Sequence, residues 1–103
     1  MKDAETGLKT LLNTRKTVLI ENELGLHARP AAMIARIVRN AEDAVWLVYK
    51  NHRADASSVI DILTLNAEKG CRMTVEIESE KDVSVLDELV EFFESGFGEN
   101  ADG

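Results

Sequence analysis

The sequence predicts an α+β domain, an open-faced sandwich whose four-stranded antiparallel sheet carries three helices on one face, in the order β-α-β-β-α-β-α. Three observations carry that expectation. Apolar and polar residues alternate at Val18 and Ile20 and again at Met73, Val75 and Ile77, while Val45 to Tyr49 is a short β-prone run bounded by turn residues. Between and after these segments lie three stretches whose apolar residues recur every three or four positions, the spacing of one helix face. The chain of 103 residues is 45% hydrophobic, which sustains one core and leaves no room for a separate cofactor lobe.

The elements follow in order. Residues 1–15 are expected to be a leader, polar apart from Leu8, Leu11 and Leu12, which suit either a short amphipathic turn or a loosely held segment. A strand sharpens from Thr17, and Asn22 to His27, with Gly25, reads as a loop. Pro30 is expected as the first residue of a helix, because its fixed φ and missing N–H suit that position. Ile34, Ile37, Val38 and Ala41 form the inner face of that helix, and Arg36, Arg39 and Asn40 its outer face. Val45 to Tyr49 is expected to be a well-buried strand, followed by a turn at Lys50-Asn51-His52 and a return strand from Arg53 to Ala56. Ser57 and Ser58 start a second helix, with Ser58 and Asp61 spaced like a capping box. Val59, Ile62, Leu63 and Ala67 form its stripe, and Gly70 ends it. After the strand at Met73 to Ile77, a last helix from about Val83 points Leu86, Leu89, Val90 and Phe93 inward. The domain is expected over residues 16–95, with 96–103 a flexible acidic tail.

Composition excludes several function classes. Lys and Arg number 12 against 19 Asp and Glu, a net charge of -7, whereas a nucleic-acid binder needs a basic face. A lone cysteine, Cys71, closes no internal disulfide and is most simply a packing residue. No His or Cys pair shows zinc-ligand spacing, so neither metal nor cofactor is expected. The acidic start lacks the basic, then apolar, pattern of a signal peptide, and no apolar stretch approaches the ~20 residues that span a bilayer. A soluble, cytoplasmic chain without membrane insertion is expected. His52 reads as a turn residue.

The unusual residues lie at Gly25-Leu26-His27-Ala28-Arg29-Pro30-Ala31. With Pro30 opening the helix, no Ser, Thr, Asp or Asn stands at the cap, and the N–H groups of Ala31, Ala32 and Met33 are expected to face outward unpaired. Arg29 adds a cation where the helix dipole is already positive. Both departures are relieved by an anion, since open helix N–H groups bind phosphate and a guanidinium adds charge-assisted hydrogen bonds. His27 lies just before that vacancy, and a neutral imidazole can accept a phosphoryl group at a ring nitrogen. The same positions also read as a loop histidine, a solvated arginine and a plain helix starter.

Gly25-Leu26-His27-Ala28-Arg29-Pro30-Ala31-Ala32 resembles the active-site signature of the HPr family, the histidine-containing phosphocarriers of the bacterial phosphoenolpyruvate-dependent phosphotransferase system. The resemblance covers about Thr17 to Phe93 and agrees with the order of elements. It implies that His27 is the phosphorylated residue and Arg29 its phosphate-binding partner. The phosphoryl group would come from Enzyme I and pass to a sugar-specific EIIA-type domain. The chain would then be an intermediate of other enzymes rather than a catalyst, and a monomer. Ser58 matches a serine that the family often carries at the start of the second helix, which in some bacteria an HPr kinase/phosphorylase modifies. Asp61 within one turn would repel that phosphate, and a capping serine is the stronger reading of the position. The family docks partners through this region and the first helix, which implicates Ala32, Arg36, Arg39, Val59, Ile60 and Leu63. Arg36 and Arg39 would face acidic partner residues. Two other readings stand beside this one. One is a regulatory relative acting in a nitrogen-related phosphorelay or on a transcription regulator, and the other is an interaction module with a fortuitous motif.

Overall fold

Four strands and three α-helices alternate along a computed structural model that describes residues 14–99. They are β1 (Arg15–Leu19), α1 (Ala28–Val38), β2 (Val45–Tyr49), β3 (His52–Asp55), α2 (Val59–Leu63), β4 (Arg72–Ile77) and α3 (Val83–Glu94). The strands form one antiparallel sheet in the order β1-β4-β2-β3. The expected order of elements and the expected antiparallel sheet are therefore both present. The leader residues 1–13, with Leu8, Leu11 and Leu12, and the tail residues 100–103 lie outside the described residues.

Alternation turns Val18, Val45, Leu47, Ala54, Met73, Val75 and Ile77 to one sheet face, where they meet Ile34, Val38, Ile62, Leu86, Leu89 and Phe93 from the helices. β2 departs from the well-buried strand expected of it. Val45 and Leu47 are buried, but Trp46, Val48 and Tyr49 are only half-buried, because no helix among the described residues covers the opposite face of the sheet. On that open face the Arg53 guanidinium stacks 4.0 Å over the Trp46 ring. Arg53 also lies 4.0 Å from carboxylate oxygens of Glu76 and Glu78.

Four local expectations need correction. Pro30 is the third residue of α1, not the first. An N–H in the first helical turn has no partner four residues back, so proline is tolerated throughout that turn. The second helix stops at Leu63 instead of running to Gly70. Asn66 takes a left-handed φ of 50° and breaks it, while Leu65 and Ala67 enter the core from the connecting loop. Of the capping box only half forms. Ser58 Oγ accepts from Asp61 N at 3.2 Å, but the Asp61 carboxylate accepts from Asp55 N at 2.7 Å instead. Finally, residues 96–99 pack against the domain. Gly96–Gly98 form a short 3-10 turn, and Phe97 is only 3% exposed. A buried aromatic ring offsets the loss of chain freedom that a tail would keep.

The loop leading into α1 is stitched to the loop between α2 and β4. Ile20 N donates to Cys71 O at 2.9 Å, Gly70 N to Ile20 O at 2.8 Å, and Leu26 N to Ala67 O at 2.9 Å. Gly25, at φ +67°, sits so close to this seam that a β-carbon would meet Ala67 O at 2.7 Å. Cys71 packs partly buried with its sulfur 3.0 Å from the Tyr49 hydroxyl, a contact that raises the tyrosine pKa above its ordinary value.

Candidate functional site

His27 is the N-cap residue of α1, in extended conformation, and among the described residues no side chain caps the helix. Its own N–H donates to Gly25 O at 3.1 Å, and its carbonyl accepts the first intrahelical bond from Ala31 N at 3.0 Å. Among the described residues the uncommitted N–H groups at this helix end are therefore those of Ala28 and Arg29, because Pro30 has none. The expectation of open N–H groups on Ala31, Ala32 and Met33 is corrected by one helical turn: with Pro30 third, those residues already reach carbonyls four positions back.

The His27 ring is half-exposed, and its Nε2 lies 2.9 Å from Glu99 Oε2. Glu99 Oε1 accepts from Asn22 Nδ2 at 2.9 Å, and the same amide group donates to Gly25 O at 2.8 Å. Asn22 is only 3% exposed, and its Oδ1 has no hydrogen-bond partner among the described residues. Glu99 and Asn22 are the residues that sequence reasoning missed. Asn22 lies in the loop where nothing local in the sequence gives it a role, and Glu99 reaches the site across 72 residues. The one available signal was a phenylalanine between two glycines in an otherwise acidic segment.

Arg29 is exposed on the first turn of α1 and, among the described residues, makes no ion pair or side-chain hydrogen bond, so its guanidinium is uncommitted beside the helix end. Ala32, Arg36 and Arg39 are exposed along α1 and its C-cap. α2 packs against α1, which brings Ile60, 77% exposed, and the exposed Leu63 onto the same side of the molecule, whereas Val59 is partly buried against the core. Leu24 and Met33 are further exposed apolar residues flanking His27 in sequence that the motif did not single out. Ser58 is half-buried at the start of α2 with Asp55 and Asp61 beside it. Among the described residues no group of three or more His, Cys, Asp or Glu could hold a metal ion, and no helix is long and apolar enough to cross a membrane.

A nucleophilic ring beside free N–H groups and a free guanidinium can take a phosphoryl group and bind its oxygens. Comparison with known proteins leads to a family of phosphocarriers. The chain is 36% identical over 88 residues to the phosphocarrier protein NPr of Proteus mirabilis (strain HI4320), covering 82% of this chain and 96% of that protein. It is 32% identical over 98 residues to the phosphocarrier protein HPr of Chlamydia pneumoniae, covering 95% and 88%. The crystal structure of HPr from Thermoanaerobacter tengcongensis superposes with a TM-score of 0.77 at 30% identity, covering 82% of this chain and 96% of that one. HPr of Bacillus anthracis shares the fold at a TM-score of 0.71 and 23% identity, covering 77% and 94%. HPr proteins are phosphocarriers rather than enzymes with a turnover of their own. The profile of the PTS-HPr family, the PTS HPr component phosphorylation site, matches residues 14–95 and so takes in the whole sheet, all three helices and the His27 loop: the chain belongs to the HPr/NPr phosphocarrier family of the phosphotransferase system.

Proposed function

We propose that His27 accepts a phosphoryl group from phospho-Enzyme I and passes it to an EIIA-type acceptor domain, with the chain acting as a monomeric shuttle. The observation that carries this reading is the uncapped start of α1: a half-exposed imidazole at the N-cap beside the uncommitted N–H groups of Ala28 and Arg29. In the transfer, a ring-nitrogen lone pair attacks phosphorus as the bond to the donor breaks, and the donor keeps that bond's electron pair. The two N–H groups and the Arg29 guanidinium stabilise the phosphoryl oxygens.

Ala32, Arg36 and Arg39, together with Ile60 and Leu63, form the docking surface in this reading. The arginines meet acidic groups of Enzyme I and of the acceptor, and the apolar residues are desolvated on contact. Val59 contributes mainly from below, through the core. Ser58 is best read as the cap of α2. A phosphate added there by an HPr kinase/phosphorylase would meet the carboxylates of Asp55 and Asp61. Radiolabelled phosphoenolpyruvate with Enzyme I should label the wild-type chain and not His27→Ala, and an EIIA domain should discharge the label. Equal labelling of the variant would remove His27 from the reaction.

A second reading is favoured by the NPr relatives, several of which are 33–36% identical to this chain. It keeps the chemistry at His27 and sends the phosphoryl group into a nitrogen-related relay. The two readings separate by which purified EIIA domain, sugar-specific or nitrogen-branch, discharges phospho-His27 faster.

A further inference from the structure

Glu99 is not a loose surface acid. Both carboxylate oxygens are engaged, Oε2 with His27 Nε2 and Oε1 with Asn22 Nδ2, each at 2.9 Å, and the side chain is only 18% exposed. Asn22 in turn holds Gly25 O, so the carboxylate is fixed to the loop that delivers His27. The chain is brought back to this point by three successive left-handed residues, Gly96, Phe97 and Gly98. Phenylalanine adopts that conformation only where packing holds it. Its ring lies 5.2 Å from the Phe92 ring and 5.0 Å from the Phe93 ring, inside the core.

We propose that Glu99 is a positioning residue for His27, accepting the Nε2 proton so that the ring is held in one orientation with the Nδ1 lone pair as the nucleophile. The proposal rests on the reading of His27 as the phosphoryl acceptor. A carboxylate offers only acceptor atoms, so the hydrogen bond requires the proton on Nε2 and, in a neutral ring, leaves Nδ1 unprotonated. When Nδ1 forms its bond to phosphorus and the donor departs with its electron pair, the ring keeps the Nε2 proton and becomes cationic. The hydrogen bond to Glu99 is then charge-assisted on both sides and strengthens as the transfer proceeds. Onward transfer reverses this, and the ring leaves as a neutral imidazole. Because Glu99 occupies Nε2, its negative charge stays off the ring edge that the phosphoryl group approaches.

The test compares wild type, Glu99→Ala and Glu99→Gln by the ring nitrogen NMR signals of His27 in the unmodified protein, and by the kinetics of its phosphorylation by phospho-Enzyme I. In the wild type Nε2 should give a protonated-type signal with a slowly exchanging proton and Nδ1 an unprotonated one. Glu99→Ala should mix the two forms and speed proton exchange. It should also lower kcat at least about tenfold, the smallest loss seen when a hydrogen-bond partner that fixes a functional histidine is removed, with the KM for the carrier unchanged. Glu99→Gln keeps an acceptor oxygen without the charge and should fall between. Identical ring signals in wild type and Glu99→Ala, or an effect confined to KM, would overturn the proposal. If wild-type His27 is not phosphorylated at all, the phosphocarrier reading itself fails. If His27 is phosphorylated but its ring signals ignore residue 99, only the role of Glu99 fails.

Discussion

Replacing Gly25 with alanine probes the seam that sets the His27 loop against the α2–β4 connection. The left-handed backbone costs an L residue about 1–2 kcal/mol, and the smaller freedom of alanine in the unfolded chain returns about 0.4–1 kcal/mol. Together they leave a net cost of about 1 kcal/mol, to which the new contact adds. The added carbon would stand 2.7 Å from Ala67 O and 3.0 Å from Glu68 Cα, both of them backbone atoms. Ala67 O also accepts from Leu26 N at 2.9 Å, and moving it away sacrifices a hydrogen bond worth about 1 kcal/mol. Gly25→Ala should therefore cost about 2–3 kcal/mol, or roughly 10–20 °C in Tm for a domain of this size. Gly70 is the control, left-handed at φ +91° but with nothing within 4 Å of a β-carbon. Gly70→Ala should cost only the backbone strain, about 1 kcal/mol. Urea unfolding of both variants gives the comparison, and equal losses would refute the steric argument.

Arg29→Ala should slow phosphoryl transfer while leaving stability unchanged or slightly raised, because the lost cation faces the positive end of α1, an unfavourable interaction of ~0.3–1 kcal/mol. Lysine should rescue only in part, having charge without the planar fork, and a lowered Tm with normal transfer would make Arg29 structural. Ser58→Asp should raise the KM of Enzyme I for the carrier, through a new negative charge beside Ile60; aspartate still caps α2, which offsets much of its repulsion from Asp55 and Asp61, so thermal melts fall only slightly. Unchanged kinetics with an intact fold would put Ser58 off the docking surface. The Ser57 hydroxyl and N–H, at 2.7 and 2.8 Å, hold the Asp55 carboxyl below its ordinary pKa. That stabilisation is present above the unfolded pKa and lost as pH falls through the folded one. The stability gap between wild type and Ser57→Ala should therefore be seen at pH 7 and close below about pH 4. A gap independent of pH in urea titrations would contradict it.

The strands and the inner faces of α1 and α3 were legible because their signals are local: alternation at Met73, Val75 and Ile77, and helical spacing at Leu86, Leu89 and Phe93. The length of α2 was not, because Ala67 continues the apolar spacing and yet reaches the core from a loop broken at Asn66. Pro30 could not be assigned to a particular first-turn position, since every N–H in that turn lacks an intrahelical partner. His27 and Arg29 were legible from chemistry that a helix start without a cap calls for. Their neighbours Asn22 and Glu99 were not, because the contact between Glu99 and the loop closes over most of the chain and leaves no periodicity to read.

The central claim is that His27 carries the phosphoryl group, and site localisation by mass spectrometry tests it most directly. After incubation with phosphoenolpyruvate and Enzyme I and digestion at neutral pH, one phosphoryl group should be found on the peptide containing His27. It should be lost on brief acid treatment, as phosphoramidates are and phosphoserine is not, and be absent from His27→Ala. An acid-stable phosphate on Ser58, or a labile one on any other residue with His27 unmodified, would contradict the account.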